Sequence, residues 1–261
     1  MPYDHALPPG SDGSALPPGP HPPVLSAGSH APVLAVVIPV YNEADNLAAL
    51  LRDWQPVFAA TGAPYTIFLI DDGSTDGSLA LLKNFQSADT HLSVHTQSNA
   101  GHGSAILKGY NLARDAEWVF QIDSDHQLDP GAFRILWEKR EEYDLLLAQR
   151  KEKHSSSARR WLSRISVGLV RLLYGGSVKD ANCPYRLMRC AALQLALKKV
   201  PTTSFAPNIL ITSWFILKKN RIFTTVVEHR KEDQRPSRMS SYILRGALRS
   251  SIQTLLFRLR Q

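Results

Sequence analysis

A unit of apolar strand, polar loop and helix is repeated four times in the first half of the chain. The strands are predicted at 33–40, 65–70, 92–96 and from 118 onward. The continuous apolar run at 33–40 is typical of a central parallel strand. Strands that alternate with helices form a parallel sheet whose ligand crevice lies beyond the carboxyl ends of the strands. The sequence therefore predicts an α/β fold, with a mostly parallel sheet flanked by helices and the four polar loops gathered at one edge.

The fourth polar loop carries two carboxylates. The run Trp118–Pro130 begins as an apolar strand, contains Asp123 and Asp125, and ends at a proline that can open a helix. Strand alternation would place the two carboxylates on the same side of the chain. Two acids at the end of a buried strand are costly unless a cation or a polar ligand compensates their desolvation. Because Mg2+ takes one or two carboxylates together with phosphate oxygens and water, the pair indicates a metal that carries a diphosphate.

Basic and acidic residues are unevenly distributed along the chain. The 261 residues include 30 Lys and Arg against 23 Asp and Glu, for a net charge of +7. Basic residues dominate 150–171 and 221–260, whereas acidic residues cluster between 43 and 142. The first half is therefore expected to serve a metal and the second half an anionic partner.

Cysteine content and hydropathy indicate the compartment. Cys183 and Cys190 are the two cysteines, and no apolar run approaches the roughly 20 residues that cross a bilayer. A cleaved leader is not expected. We expect a reduced, cytoplasmic protein whose membrane contact is peripheral, on the inner face of the membrane.

The chain ends are expected to differ from its middle. Residues 1–31 form a Pro/Gly-rich tract that is predicted to be disordered. Basic amphipathic helices are predicted over 159–174 and 241–261, the second with an apolar side made of Leu244, Leu248, Ile252, Leu255, Leu256 and Leu259. Such apolar stripes can face the protein core, or they can lie on an anionic bilayer surface. Nucleic acid is not expected as a partner, because the second half lacks regularly interleaved aromatic and basic residues.

Two further loops allow both a structural and a functional interpretation. Tyr41 and Glu43 could belong to a simple helix start, or could offer a ring edge and an acceptor to a nucleotide. Asp71 and Asp72 could be turn residues, but adjacent acids directly after a buried strand favour ligand contact.

The loop around Gly101 argues against two enzyme classes. It is neither a dinucleotide-binding fingerprint nor a P-loop, which counts against a dehydrogenase and a nucleoside triphosphatase. His102 and His126 are interpreted as exposed loop histidines, and Cys183 as a small packed residue.

Four segments, taken together, are similar to those of a known family. Val37–Glu43, Ile70–Gly77, Asn99–Ala105 and Asp123–Gln127 occur in the order and at the spacing that resemble the family 2 inverting glycosyltransferases with the GT-A fold. The resemblance covers about residues 33–240 and is strongest to the polyprenol-phosphate (dolichol-phosphate mannose synthase-like) branch. Asp180–Arg189 resembles that branch's Asp-x-x-x-Gly-Phe-Arg-Leu segment, and Arg159 with Ser163 resembles its acceptor-phosphate pair.

The resemblance implies site residues. The implied donor-binding residues are Pro39, Tyr41, Glu43, Asp71, Asp72, Asp123 and Arg238. The implied metal-binding residues are Asp123, Asp125 and Gln127, for Mg2+ or Mn2+. The implied acceptor-phosphate residues are Arg150, Arg159, Ser163 and Arg186, and the implied catalytic residues are Asp123, Asp125, Asp180 and Arg186. The resemblance also implies a domain over 32–240, with a nucleotide-sugar half at 32–130 and an acceptor half at 131–240, followed by the helix at 241–261.

The sequence departs from the branch near the acceptor. Ala148–Arg150 replaces the usual Gly-Ser-Arg, Pro184 stands where Gly is common, and the loop at 234–238 lacks the usual Gly and Lys. The acceptor is thus less firmly predicted than the donor.

Three functional hypotheses follow. The first is a metal-dependent inverting enzyme that moves a hexose from a UDP- or GDP-linked sugar to a polyprenyl phosphate. The second is a related transferase acting on a hydroxyl group of a soluble glycan or natural product, which would need a general base, for which Asp180 is the candidate. The third is a nucleotide-binding or nucleic-acid-binding α/β domain without catalysis.

Overall fold

The computed structural model describes residues 31–150, 168, 175, 178, 180–228 and 241–259. The strands are β1 (Leu34–Val40), β2 (Tyr65–Asp71), β3 (Leu92–Thr96), β4 (Trp118–Gln121), β5 (Leu145–Arg150), β6 (Arg186–Arg189) and β7 (Ile222–Val227). The helices are α1 (Ala44–Ala59), α2 (Ser78–Ala88), α3 (His102–Leu112), α4 (Ala132–Glu138), α5 (Cys190–Leu197), α6 (Pro207–Leu217) and α7 (Ser241–Leu259), with a 3₁₀ turn at Arg140–Glu142.

The described strands form one sheet in the order β3-β2-β1-β4-β6-β5-β7. The first four of these pair in parallel, as do β5 and β7. Strand β6 is antiparallel to both of its neighbours. The predicted α/β fold with a mostly parallel sheet is confirmed.

Strand β1 lies at the centre of the core. All of its residues are buried, because helices cover both faces of the sheet. Val36 and Ile38 pack into the cluster that contains Trp54 of α1, and Val37 packs on the opposite face against α3. A Cβ at Gly109 of α3 would lie 2.3 Å from Val37 Cγ1, so this glycine allows the helix to approach the sheet closely.

The fourth strand ends earlier than predicted. Strand β4 stops at Gln121, and Ile122 makes one more backbone bond, to the Val37 oxygen at 3.2 Å. Asp123 and Asp125 therefore lie in the loop that follows β4, and strand alternation does not set their orientation. His126, with φ 54°, continues this loop in the left-handed region.

The second half agrees with the sequence analysis except in two elements. Strands β5 and β7 and helix α6 occur where predicted, whereas β6 and α5 were missed. Strand β6 is short, has arginine at both ends and is defined by its pairing with β4 and β5, so no periodic pattern indicates it. Residues 1–30 of the tail predicted at 1–31 lie outside the described residues, as does the helix predicted at 159–174 apart from Gly168.

Helix α7 packs with the face opposite to its apolar stripe. Gly246, Ser250, Thr254 and Phe257 are buried, whereas Ile252, Leu255, Leu256 and Leu259 are exposed. A Cβ at Gly246 would lie 2.2 Å from the Phe205 ring, which shows how closely the small-residue face approaches the 203–205 loop. For the residues whose side chains are described, the interpretation that this stripe faces the protein core is wrong. No helix within the described ranges is both long and apolar enough to span a membrane.

An ion pair joins the beginnings of β5 and β7, and it yields a prediction about pH. The Asp144 carboxylate accepts hydrogen bonds from the Arg221 side chain at 3.0 Å and 3.3 Å and from the Arg221 backbone N at 3.0 Å. These bonds, above all those from the Arg221 side chain, lower the pKa of Asp144 below its ordinary value. A lowered folded-state pKa stabilises the protein at neutral pH, and the contribution disappears as the pH falls from the ordinary aspartate value through the lowered one.

We expect Asp144→Asn to lower the free energy of unfolding at pH 7 and to have progressively less effect as the pH falls below the ordinary aspartate pKa. Urea unfolding at a series of pH values measures this. The matched control is Asp115→Asn, since Asp115 is 75% exposed and pairs with its sequence neighbour Arg114 at the surface. An effect of Asp144→Asn that does not change with pH would contradict this assignment.

Candidate active site

The polar loops after β1 and β2 are bonded to each other. The Asn42 backbone N donates to Ser74 Oγ at 3.0 Å, and Asn42 Oδ1 accepts from the Thr75 backbone N at 2.7 Å. The Glu43 backbone N donates to Ser78 Oγ at 2.9 Å. The predicted meeting of polar loops at the carboxyl edge of the sheet is confirmed for this pair.

Asp72 extends the same contact to the loop after β3. Its Oδ1 accepts from Gln97 Nε2 at 2.8 Å and from the Ala100 backbone N at 2.9 Å, and its Oδ2 accepts from the Gly101 backbone N at 2.8 Å. The residue is 3% exposed. Asp72 therefore joins the end of β2 to the start of α3.

Asp71 is occupied in a similar way. Its Oδ1 accepts from the Ser74 backbone N at 3.2 Å, and its Oδ2 accepts from Gly73 N at 3.3 Å and Thr96 Oγ1 at 2.9 Å. Asp71 is completely buried. The direct donor contact predicted for Asp71 and Asp72 is corrected by this geometry: both carboxylates are used to hold loops.

Asp123 lies where β4 and α3 meet. One carboxylate oxygen accepts from Gln121 Nε2 at 3.1 Å and lies 3.5 Å from His102 Nε2, at the first turn of α3. The Asp123 side chain is 28% exposed, so it is open on one side. His102 is exposed, as predicted, but it is also a neighbour of this candidate ligand.

His126 differs from the prediction. Its side chain is only 10% exposed, and its Nε2 lies 3.1 Å from Asp53 Oδ2 on α1. The expectation of an exposed loop histidine is wrong for this residue. The contact ties the loop that carries Asp125 and Gln127 to α1.

Asp125 and Gln127 provide the oxygen atoms that a hard divalent ion prefers. Both residues are partly exposed, and the Gln127 backbone N donates to Asp125 Oδ1 at 3.2 Å. Among the described residues, no three His, Cys, Asp or Glu side chains are grouped so that they could hold a metal alone. This donor set fits Mg2+ or Mn2+, since such an ion is completed by diphosphate oxygens and water.

The loop after β1 exposes an aromatic side chain at this edge of the sheet. Tyr41 is 48% exposed beside this edge, whereas Pro39 is buried within β1. Glu43 is partly buried, and its Oε2 accepts from Asn46 Nδ2 at 2.6 Å. Of the three residues expected to bind the donor here, Tyr41 is the one that can offer a broad surface to a base.

Arg186 is not placed to hold an acceptor phosphate. Its side chain is completely buried and donates to the Cys183 oxygen at 2.8 Å, the Ala181 oxygen at 3.0 Å and the Asn208 oxygen at 3.2 Å. The predicted catalytic and acceptor role is therefore corrected: Arg186 fixes the segment that follows Asp180.

The structure describes the side chain of Asp180, but it does not describe the side chains of the remaining predicted acceptor residues. Asp180 is partly buried, and its Oδ1 accepts from the Asn182 backbone N at 3.1 Å. Arg150 is the last residue of β5, and only its backbone is described. Arg159, Ser163 and Arg238 lie outside the described residues.

The sequence analysis missed two buried amide residues that support this site, one bonded to Asp123 and the other bonded to the first. Gln121 is buried at the end of β4, and Asn208 is 2% exposed in the mostly apolar helix α6. A single amide residue within each of these mostly apolar segments could have indicated them in the sequence.

Close packing beside the site predicts a large effect at Gly103. A Cβ there would lie 2.3 Å from the Ser204 oxygen and 2.7 Å from the Phe205 oxygen, and both are backbone atoms that cannot swing away. We expect Gly103→Ala to destabilise the protein by about 1–3 kcal/mol, as overpacking does. Urea unfolding measures this change, with Gly168→Ala as the control because no atom of the described residues lies within 4 Å of a Cβ there. Equal stabilities of the two variants would contradict the close approach.

The sequence matches a described family. The profile of glycosyl transferase family 2 matches residues 35–196. The chain is 32% identical over 176 residues to the undecaprenyl-phosphate 4-deoxy-4-formamido-L-arabinose transferase of Edwardsiella ictaluri, covering 66% of this chain and 54% of that protein. The enzyme of the same name from Klebsiella pneumoniae is 33% identical over 181 residues, covering 68% and 55%. The chain thus spans about half the length of these curated relatives.

Solved structures agree on the fold. Glucosyl-3-phosphoglycerate synthase from Mycobacterium tuberculosis superposes with a TM-score of 0.62 at 15% identity, covering 87% of this chain and 80% of that one. Mannosyl-3-phosphoglycerate synthase from Rubrobacter xylanophilus gives a TM-score of 0.62 at 15% identity, covering 88% and 74%. These neighbours share the GT-A arrangement of sheet and helices. With the family profile matching more than half of its length, this chain belongs to glycosyl transferase family 2.

Proposed function

We propose that the protein transfers a sugar from a nucleoside diphosphate to a polyprenyl phosphate, with inversion at the anomeric carbon and with Mg2+ or Mn2+. The observation that carries this proposal is the convergence of the loops after β1, β2 and β3 beside the partly exposed Asp123–Gln127 loop. The curated relatives are named as undecaprenyl-phosphate transferases, which supports the acceptor class.

The donor would lie across the loops after β1 and β4. Tyr41 would contact the base, while Asp125 and Gln127, with Asp123, would hold the metal on the diphosphate. The metal would act as a Lewis acid that neutralises charge on the leaving diphosphate. A neighbouring structure contains Mn2+ and UDP, which is consistent with this choice of ligands.

The reaction needs no dedicated base on this hypothesis. An acceptor phosphate is already ionised near neutral pH, so its oxygen can form the bond to the anomeric carbon as the bond to the diphosphate breaks. Catalysis then depends on positioning. Guanidinium groups suit a phosphate, and from the sequence we assign this role to Arg150 and Arg159, with Ser163. Arg238 remains our candidate for closing over the donor.

Helix α7 supports a peripheral position on the inner face of the membrane. Its exposed side carries Ile252, Leu255 and Leu259, and Arg249 and Arg258 are exposed on the same helix. Burial of such a face in the interfacial region, aided by attraction to anionic lipids, is how amphipathic helices bind membranes. A lipid-linked acceptor would then be presented next to the sheet edge.

The test is an incubation with Mn2+, undecaprenyl phosphate and a panel of nucleotide sugars, followed by mass analysis of the lipid. The panel includes UDP- and GDP-linked hexoses, which the sequence analysis predicts, and UDP-linked arabinose derivatives, because the relatives are named for one. We expect one glycosyl phospholipid, with release of the nucleoside diphosphate.

Other outcomes identify the alternatives. Transfer only to a hydroxyl acceptor, abolished by Asp180→Asn, would replace the lipid phosphate with the second acceptor class. Nucleic-acid binding that weakens steeply with salt, without any use of nucleotide sugars, would contradict an enzyme of this kind.

A further inference from the structure

A chain of buried hydrogen bonds leads from α3 to the Asp123 carboxylate. Tyr110 Oη donates to Asn208 Oδ1 at 3.0 Å, and Asn208 Nδ2 donates to Gln121 Oε1 at 2.9 Å. Gln121 Nε2 then donates to Asp123 Oδ1 at 3.1 Å. Three elements, α3, α6 and β4, thus contribute one side chain each to a path that ends at a candidate ligand.

The direction of every bond in this path is determined by chemistry. An ionised carboxylate only accepts hydrogen bonds, so Gln121 must turn its amide nitrogen toward Asp123. Its oxygen then faces Asn208, which must turn its own nitrogen toward Gln121. The remaining Asn208 oxygen needs a donor, and the Tyr110 hydroxyl is one.

Burial fixes the direction of these hydrogen bonds. Tyr110 and Gln121 are completely buried and Asn208 is 2% exposed, so an unmade or reversed bond would not be replaced by bulk water. Burial raises the pKa of Tyr110, so its hydroxyl keeps the proton that it donates. Arg186 Nη1 donates to the Asn208 backbone oxygen at 3.2 Å and holds that residue in place.

We propose that two residues, Asn208 and Gln121, form a one-directional relay that positions the Asp123 carboxylate for binding the metal-bound donor, while Tyr110 lies outside the relay and satisfies the outer oxygen of Asn208. Asn208 and Gln121 are positioning residues, since neither of them reaches the open edge of the sheet. The inference rests on the proposed function, because it assigns Asp123 to the donor site. Its specific content is that the direction of the bonds, and not only their number, determines how well the site binds.

Asn208→Asp reverses the direction with little change in shape. An ionised aspartate would place an oxygen where Asn208 Nδ2 now lies 2.9 Å from Gln121 Oε1, and it cannot donate to that atom. Because the other contact of Gln121 Oε1, from Tyr110 Oη, is longer at 3.4 Å, Gln121 is expected to rotate its amide and to present its oxygen to Asp123. The Arg186 guanidinium nearby offsets the added negative charge. Gln121→Met removes the final donor without reversing anything, and Tyr110→Phe is the matched control, because Asn208 still donates to Gln121 in that variant.

The experiment measures Mn2+ binding by electron paramagnetic resonance in the presence of UDP or GDP, and thermal unfolding confirms that each variant is folded. We expect Asn208→Asp and Gln121→Met to weaken Mn2+ binding by about 10–100-fold, the range found when residues supporting a metal ligand are removed. Tyr110→Phe should stay within about threefold of the wild type on the same argument. The KM for the nucleotide sugar should follow the metal affinity.

The failures are distinguishable. If the wild type binds Mn2+ with a nucleotide and Gln121→Met binds equally well, the relay is overturned while the proposed function stands. If Asn208→Asp, once folded, behaves like Tyr110→Phe, bond direction does not matter and the inference is wrong. If the wild type itself binds no Mn2+ with either nucleotide, the proposed function fails and the inference fails with it.

Discussion

Asp125→Asn is expected to lower kcat/KM for sugar transfer by on the order of 1,000-fold. Asp125 is the partly exposed carboxylate of the loop after β4, and its Oδ1 is held by the Gln127 backbone N at 3.2 Å. An asparagine keeps the size and one oxygen but loses the negative charge that a divalent ion needs. Initial rates at increasing Mn2+ measure the effect, and the loss should be only partly reversed by high metal.

The matched control for this prediction is Asp115→Asn. Asp115 carries the same charge but lies just beyond α3, at the end of that helix opposite to His102, and its side chain is 75% exposed. This control should keep nearly full activity. A loss of less than about tenfold in Asp125→Asn would show that the leaving diphosphate is neutralised by other groups.

Leu255→Glu combined with Leu259→Glu is expected to weaken binding to anionic vesicles by on the order of 100-fold. The two side chains are 46% and 75% exposed, so the substitutions should leave the fold intact. Each leucine that enters the interfacial region contributes about 1.5–3 kcal/mol when fully buried, and each added carboxylate is repelled by anionic lipid. Co-sedimentation with vesicles of phosphatidylcholine and phosphatidylglycerol measures the change.

A control with the same change in charge separates helix α7 from net charge. Leu81→Glu combined with Leu195→Glu replaces two exposed leucines, 36% and 52% exposed, on α2 and α5. It should retain most of the binding, apart from the general electrostatic loss. Equal weakening by both pairs would contradict a docking role for α7.

The sequence predicted well those features that depend on the residue pattern within a single segment. Strand β3 has the predicted bounds, Leu92–Thr96, because its apolar and polar residues alternate with the period of a strand. The meeting of the loops followed from topology, since parallel neighbours bring their carboxyl ends to one edge.

The features that it missed depend on partners far away in the chain. Strand β6 exists because Arg186 pairs with Gln121 and Leu146 pairs with Leu187, across separations that no local pattern encodes. The role of the Arg186 side chain also depends on distant partners. An arginine in a motif suggests a phosphate ligand, but this guanidinium donates to the backbone oxygens of Ala181 and Cys183.

Asp71 and Asp72 illustrate a similar ambiguity. Both were identified from the sequence as important, yet their bonds to Thr96, Gln97 and Gly101 assign them to loop organisation. Helix α7 was predicted with nearly correct bounds, but its sequence did not reveal that a face of Gly246, Ser250 and Thr254 would be buried in place of the leucines. Small residues allow close packing, and this outcome depends on the shape of the 203–205 loop.

The most direct test of the central claim is a crystal of the protein grown with Mn2+ and a nucleoside diphosphate, examined by anomalous scattering at the manganese edge. The proposal predicts one strong peak beside the Asp125 carboxylate, between the loop after β4 and the diphosphate. A peak bound elsewhere, or a nucleotide bound away from the carboxyl ends of β1 and β4, would contradict it.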